Sequence, residues 1–317
     1  MGFSIRHSNE NDLSLIYLQD ETSGTAVAIL PDHGASLHAF RVKGRDGLFN
    51  VIDNYKDLAE LEKELPRSFK SPKLSPFACR IAGATYPFEG KQYAFSNDFG
   101  DGTAIHGLLY NKAFTITGKE SGEAAAILTL EYLYKQEDPA YPHTYNCRVR
   151  YILHSGSLLE VETTVTNQGA GDCPIADGWH PYFLLGGKVD EWHLQFHAAA
   201  IVEFNEQLIP TGQVLPYNTF DNPRPIGDTF LDNCFVLKTG ALHPACELVN
   251  PVSGLSVAFY PDASYPYLQI YTPPSRQSIA IENLSGAPDC FNNKMGLLIL
   301  SPGHSQTFTV KYKVNVR

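Results

Sequence analysis

The chain has 317 residues, of which 43% are hydrophobic and 18% charged, a balance typical of a globular protein with a large core. Its formal net charge is −10 at pH 7, and no cluster of lysine and arginine opposes it, which argues against nucleic acid and anionic membranes as partners. No apolar run approaches the length of a membrane span, and the N-terminal segment lacks the apolar stretch of a signal peptide.

The cysteines show no CxxC motif and no short paired spacing. They are Cys79, Cys147, Cys173, Cys234, Cys246 and Cys290. We therefore expect reduced, mostly buried thiols in a cytoplasmic protein.

One segment in the first quarter of the chain has helical periodicity. Residues 55–65 are predicted to form a helix, with Asp53-Asn54 as its N-terminal cap and Pro66 as its end. Its leucines recur at helical spacing, at Leu58, Leu61 and Leu65.

Two candidate site residues follow, Arg80 and His106. Arg80 stands between apolar neighbours, and a buried guanidinium needs oxygen partners. His106 precedes Gly107, a residue that lets another chain or a ligand approach the backbone closely. Taken alone, Arg80 is more simply interpreted as part of a structural salt bridge, and His106-Gly107 as a turn.

Most of the remaining chain alternates between apolar and polar residues with the two-residue period of a strand. The predicted strands span residues 126–132, 147–153, 158–167, 255–260, 267–272, 278–282, 297–300 and 308–316. Turn residues separate these runs, and no repeat or linker divides the chain. The pattern predicts an all-β fold, a large antiparallel β-sandwich with few short helices, over a single domain of residues 1–317.

A histidine and an aspartate stand within aromatic surroundings. His180 lies in the run Gly178–Phe183, where the following proline favours extended backbone and the aromatic neighbours make a stiff frame. Such a histidine suits general acid or base catalysis, although a histidine satisfied by core hydrogen bonds is an equal alternative. Asp232 lies in the run Phe230–Phe235 and, by itself, reads as part of a turn.

Glu282 ends the predicted strand Ser278–Glu282. Ile279 and Ile281 face one side, while Ser278 and Ala280 share the other side with the carboxylate and leave room for a ligand. Because a turn-rich stretch follows at once, we expect the carboxylate at a strand end, where sites are commonly built. A surface ion pair is the alternative for a lone glutamate.

Together these elements resemble the aldose 1-epimerase (galactose mutarotase) family, from about Pro76 to Asp289. The run His180–Phe183 is the most specific part of the resemblance. His106-Gly107 lies upstream as in that family, and Glu282 is followed by a similar Gly286–Asp289 segment.

The resemblance implies a galactose mutarotase-like β-sandwich that interconverts the α and β anomers of a neutral aldohexose without a cofactor or metal. By the same resemblance, Glu282 is the catalytic base and His180 the acid, whereas Arg80, His106 and Asp232 hold the sugar hydroxyls. Because this acid must be protonated, we expect His180 to be charged near neutral pH, with Asp232 helping to hold that charge.

Other functions stay open at this point. The fold could be a non-catalytic carbohydrate-binding or regulatory β-sandwich, or a hexose-6-phosphate mutarotase using Arg80, Arg276 and Lys294. A glycoside hydrolase would pair Asp232 with Glu282. A metal site would use His106, His180 and Glu282, although their spacing carries no ligand signature. The protein is expected to be a monomer or a homodimer.

Overall fold

The computed structural model describes residues 2–45, 47–96, 99–238, 240 and 244–316, and most of its regular structure is β. The strands of the first half are β1 (Phe3–Glu10), β2 (Leu13–Asp20), β3 (Ala26–Leu30), β4 (Ser36–Gly44), β5 (Gly47–Asn50), β6 (Ile52–Asp53), β7 (Lys73–Leu74), β8 (Arg80–Ile81), β9 (Thr85–Phe88), β10 (Lys91–Ala94), β11 (Ala104–Ile105), β12 (Thr115–Ser121), β13 (Ala125–Lys135), β14 (Thr144–His154) and β15 (Leu158–Asn167). Those of the second half are β16 (Cys173–Ile175), β17 (Gly178–Trp179), β18 (Tyr182–Phe183), β19 (His193–Phe196), β20 (Ala198–Phe204), β21 (Pro210–Pro216), β22 (Arg224–Pro225), β23 (Asp232–Leu237), β24 (Cys246–Val249), β25 (Leu255–Pro261), β26 (Tyr267–Tyr271), β27 (Ile279–Leu284), β28 (Leu298–Leu300) and β29 (Ser305–Val316).

The α-helices in the described ranges are α1 (Leu58–Ser68) and α2 (Cys290–Asn293). Short 3₁₀ turns lie at Ala82–Ala84 and Val189–Glu191. Within those ranges, neither helix has the length and apolar character needed to cross a membrane.

Helix α1 confirms the predicted periodicity but corrects both predicted ends. Its N-cap is Asp57, whose side chain accepts the Glu60 N–H at 2.8 Å, whereas Asp53 binds the Lys70 ammonium at 2.9 Å. At the other end the helix continues past Pro66 to Ser68, where the Phe69 N–H still donates to the Leu65 carbonyl at 3.1 Å.

Two nine-stranded sheets and one five-stranded sheet organise the chain, and their named strand pairings are antiparallel. The first large sheet has the order β12-β13-β14-β15-β29-β25-β24-β19-β22. The second has the order β21-β20-β23-β26-β27-β17-β7, with β18 paired to both β27 and β6. Strands β1 to β5 form the five-stranded sheet in chain order.

The large sheets bury a shared core. Alternate residues of β29 are buried from Phe308 to Val314, as the two-residue period predicts. Phe183 of β18 contacts Phe259 and Tyr312 of the other large sheet, with ring centroids 4.9 and 5.6 Å apart. These contacts join the two sheets into a sandwich.

The six cysteines are all buried and free, as predicted.

Strand β27 differs from the predicted strand in a way that matters for Glu282. The strand continues two residues further, to Leu284, because Asn283 and Leu284 pair with Leu268 and Tyr267 of β26. Glu282 is therefore a buried residue inside a central strand rather than a residue at a strand end.

Candidate active site

One cavity of about 180 Å³ brings together all five residues singled out in the sequence. Its lining includes Arg80, His106, His180, Asp232 and Glu282. Arg80 and Glu282 are 202 positions apart in the chain (282 − 80), so the fold rather than local sequence assembles the site.

His180 and Glu282 are in direct contact at the centre of this cavity. Nε2 of His180 lies 3.3 Å from Oε1 of Glu282, and the two residues are 5% and 2% exposed. Neighbouring backbone fixes both: Ser71 N–H donates to the His180 carbonyl at 2.9 Å, and Gln269 is the cross-strand partner of Glu282. The pair is held by rigid elements.

The charge state of the pair differs from the expectation. Burial lowers the pKa of His180 to about 4, so the imidazole is neutral at pH 7. Burial, and then the Asp232 carboxylate, raise the pKa of Glu282 well above its usual value. Asp232 therefore acts on Glu282, and the prediction that it keeps His180 charged was wrong.

Three adjacent strands present a row of polar side chains to the cavity. Asp232 lies on β23, Gln269 on β26 and Glu282 on β27. Gln269 donates from Nε2 to Oδ1 of Asp232 at 2.8 Å. Sequence reasoning did not find Gln269, although a glutamine between the buried Leu268 and Ile270 in a predicted strand was an available signal.

Arg80 begins β8 and His106 directly follows β11, and these two strands pair through Arg80 and Ile105. Arg80 donates from Nε to Oδ2 of Asp101 at 3.3 Å and keeps one-fifth of its side chain exposed. Gly107 is required because a Cβ there would lie 2.3 Å from the Ser75 carbonyl oxygen. The predicted close approach at this glycine is therefore made by another segment of the chain.

The tautomer of His106 bears on whether this site suits a metal ion. His106, His180 and Glu282 have ligand atoms that all lie within 4.8 Å of one another. However, the Cys79 N–H donates to Nδ1 of His106 at 3.3 Å, which leaves the ring proton on Nε2. A protonated nitrogen donates to an oxygen and does not ligate a metal, so this arrangement favours a hydroxyl partner.

Several other lining residues were not found by sequence reasoning. Arg67 and Phe69 come from the end of α1, while Phe99, Tyr182 and Tyr271 add aromatic rings. Of these residues, only Tyr182 had a signal in the sequence, because it belongs to the motif around His180.

The basic residues considered for a phosphate lie mostly outside the cavity lining. Arg276 is engaged by the Asp190 carboxylate and by the Thr229 and Gly227 carbonyls. Lys294 donates to the Phe291 carbonyl at 2.6 Å. Arg80 and Arg67 both line the cavity, and Arg67 is exposed to solvent.

The chain is similar to several known proteins. A family model described as aldose 1-epimerase matches residues 15–313. The protein YihR of Escherichia coli strain K12, named as uncharacterized, is 28% identical over 249 residues, which cover 76% of this chain and 78% of that protein.

Among solved structures, a galactose mutarotase-like protein from Clostridium acetobutylicum has a TM-score of 0.88 at 18% identity, covering 100% of this chain and 99% of the other. Galactose 1-epimerase from Lactobacillus acidophilus has a TM-score of 0.82 at 19% identity and 99% coverage of both chains. These similarities confirm the predicted galactose mutarotase-like fold.

Proposed function

Because this chain belongs to the aldose 1-epimerase family, we propose that it interconverts the α and β anomers of a neutral aldohexose. The observation that carries the proposal is the contact between His180 and Glu282 within one cavity. The two oxygens of a hemiacetal share one carbon, so the groups that serve them must be neighbours. A carboxylate and an imidazole 3.3 Å apart meet that requirement.

The proposed reaction moves two protons in each direction. Glu282 takes the proton of the C1 hydroxyl, C1–O1 becomes a carbonyl, the bond from C1 to the ring oxygen breaks, and the ring oxygen takes a proton from His180. Rotation about C1–C2 then presents the other face of the aldehyde, and the reverse transfers close the ring. No electron or group is transferred, so this chemistry needs no cofactor.

Arg80, His106 and Asp232 are proposed to hold the sugar hydroxyls. His106 offers its Nε2 proton, Arg80 offers guanidinium donors, and Asp232 accepts. Gln269 belongs with them because it fixes Asp232 and has an Oε1 atom without a partner in the described residues. Fixed donors and acceptors on both sides keep the open aldehyde from escaping while it rotates.

The pH dependence of kcat/KM should be that of a pair sharing one proton. Catalysis needs a carboxylate and an imidazolium, which together carry the same single proton as a carboxylic acid and a neutral imidazole. Below about pH 4 His180 gains a second proton for the pair, and as the pH rises through the raised pKa of Glu282 the pair loses its only proton. We therefore expect kcat/KM to have a plateau between these two pKa values and to fall on both sides of it, as measured by polarimetry in buffers from pH 3.5 to 10.

The central test follows optical rotation after crystalline α-D-glucose or α-D-galactose is dissolved, with and without the protein. Acceleration to the same final rotation is the expected result. Binding without acceleration for any of several aldoses would instead favour a carbohydrate-binding or regulatory protein. Faster turnover of glucose 6-phosphate than of glucose would favour a hexose-6-phosphate mutarotase, with Arg67 and Arg80 as the basic groups available in the cavity.

A further inference from the structure

Among the described residues, no neighbour orients the His180 imidazole through a hydrogen bond at its second nitrogen. A proton-transferring ring is often held by a hydrogen bond at the nitrogen that does not take part in the chemistry. Here Nε2 faces Glu282, whereas the buried Nδ1 has only the backbone of His180 itself as a partner in the described ranges. Packing against other side chains is therefore left to hold the ring in place.

Two rings pack against the imidazole from different directions. Tyr182 is stacked on it, with centroids 5.0 Å apart and planes 18° apart. His106 meets it edge-on, with centroids 4.9 Å apart and planes 80° apart. Turning the imidazole away from Glu282 would break the stack and drive the ring toward its perpendicular neighbour.

Tyr182 is placed rigidly enough to define this plane. Its backbone pairs with Ala280 of β27 on one side and with Asp53 of β6 on the other. Ala280 lies two residues before Glu282, so one strand carries both the base and the partner of the stacking ring. Residues two apart in an extended segment share a face, and Pro181 favours extended geometry at His180, so the sequence His-Pro-Tyr itself encodes the stack.

We propose that Tyr182 is a positioning residue whose ring, rather than its hydroxyl, holds the His180 imidazole in the plane that points Nε2 at Glu282 and at the sugar ring oxygen. The kinetic consequence rests on the proposed function, whereas the orientation of the ring does not. The plain alternative is that Tyr182 is a cavity wall, or that its hydroxyl binds the sugar, because it lines the same cavity.

Two substitutions separate these roles. Tyr182→Phe keeps the ring and removes the hydroxyl, whereas Tyr182→Leu removes the ring. We expect Tyr182→Leu to lower kcat by about 10- to 100-fold with little change in KM, since a small misplacement of a catalytic group has effects of this size. Tyr182→Phe is expected to restore nearly the whole of kcat.

Tyr271→Leu is the matched control. Tyr271 lines the same cavity and meets Tyr182 edge-on at 6.5 Å, but it is not among the rings that pack on His180. Losing this ring should change KM rather than kcat. The inference is overturned if Tyr182→Phe loses as much kcat as Tyr182→Leu, or if Tyr182→Leu changes KM alone.

A crystal structure of the Tyr182→Leu variant tests the same inference without any activity. The His180 ring is expected to rotate or to divide between two rotamers, and so lose its approach to Glu282. An imidazole that keeps its place would contradict the proposal. If the wild-type protein accelerates no mutarotation, the proposed function fails, and this structure still decides the role of Tyr182.

Discussion

Glu282→Gln is expected to lower kcat for mutarotation by about 10³-fold, near the middle of the range that general acid–base catalysis contributes. The amide has the shape of the carboxylic acid but cannot take the proton of the C1 hydroxyl. Sugar binding should be nearly unchanged, because Arg80, His106 and Asp232 are intact. Polarimetry measures the rate, and calorimetric titration with the same sugar measures the dissociation constant.

The variant should also be at least as stable as the wild type at neutral pH. Burial and Asp232 raise the pKa of Glu282 in the folded protein above its value in the unfolded chain. Between these two pKa values the unfolded chain loses this proton while the folded protein keeps it, so the free energy of unfolding falls as the pH rises. An uncharged amide avoids this loss. Urea unfolding at pH 5 and pH 8 would show the stability advantage of the variant growing with pH.

Glu160→Gln provides the control for removing a carboxylate. Glu160 binds His154 and Lys311 on the first large sheet, outside the cavity lining, and its loss should leave kcat and KM as they are. A folded Glu282→Gln protein that keeps most of its rate would remove Glu282 from the role of base. Equal loss of rate and of sugar affinity would assign it to binding instead.

The strands were predictable because the core imposes the same two-residue period that the sequence carries. β15 spans Leu158–Asn167, as predicted, and its inward residues Leu159, Val161 and Val165 are buried. The two-residue period did not predict the end of β27, because in the sequence the polar Asn283 suggests the start of a loop. In the structure Asn283 is buried in a central strand. Burial on both faces erases the alternation that marks a half-exposed strand.

The site was predictable only where a motif or a family resemblance named its residues. Gln269, Arg67 and Tyr271 reach the cavity through strand pairing and helix packing, which single positions in the sequence do not report. The neutral state of His180 was likewise out of reach, since it depends on how deeply the ring is buried. The single domain over residues 1–317, the cytoplasmic location and the oligomeric state stay predictions.

The second large effect that we expect is a loss of stability when a buried ion pair is broken. Lys73 and Asp177 have no exposed side-chain surface, and Nζ of Lys73 lies 2.6 Å from Oδ1 of Asp177. Lys73 also donates to the Gly178 carbonyl at 2.9 Å, and the Asp177 N–H donates to the Ser285 hydroxyl at 2.7 Å. The ion pair therefore ties β7 to the segment that leads to His180, and the backbone of Asp177 joins that segment to the residue that follows β27, the strand that carries Glu282.

Lys73→Met is expected to lower the free energy of unfolding by about 3–5 kcal/mol, because it leaves the Asp177 charge buried without its partner. Lys238→Met, which breaks the more exposed pair with Asp221, should cost at most about 1 kcal/mol. Equilibrium urea unfolding at pH 7 compares the two variants.

The double variant Lys73→Met with Asp177→Asn identifies the cause of that loss. If the unpaired charge is responsible, the double variant should recover at least half of the stability that Lys73→Met loses. The amide oxygen that replaces the carboxylate of Asp177 can still accept from the Tyr265 hydroxyl. Burial already raises the pKa of Asp177, and losing Lys73 raises it further, so the deficit of Lys73→Met should shrink as the pH falls and Asp177 takes up a proton. A deficit that is the same at every pH, and that the second substitution does not relieve, would mean that packing around the lysine stem rather than charge holds these two segments together.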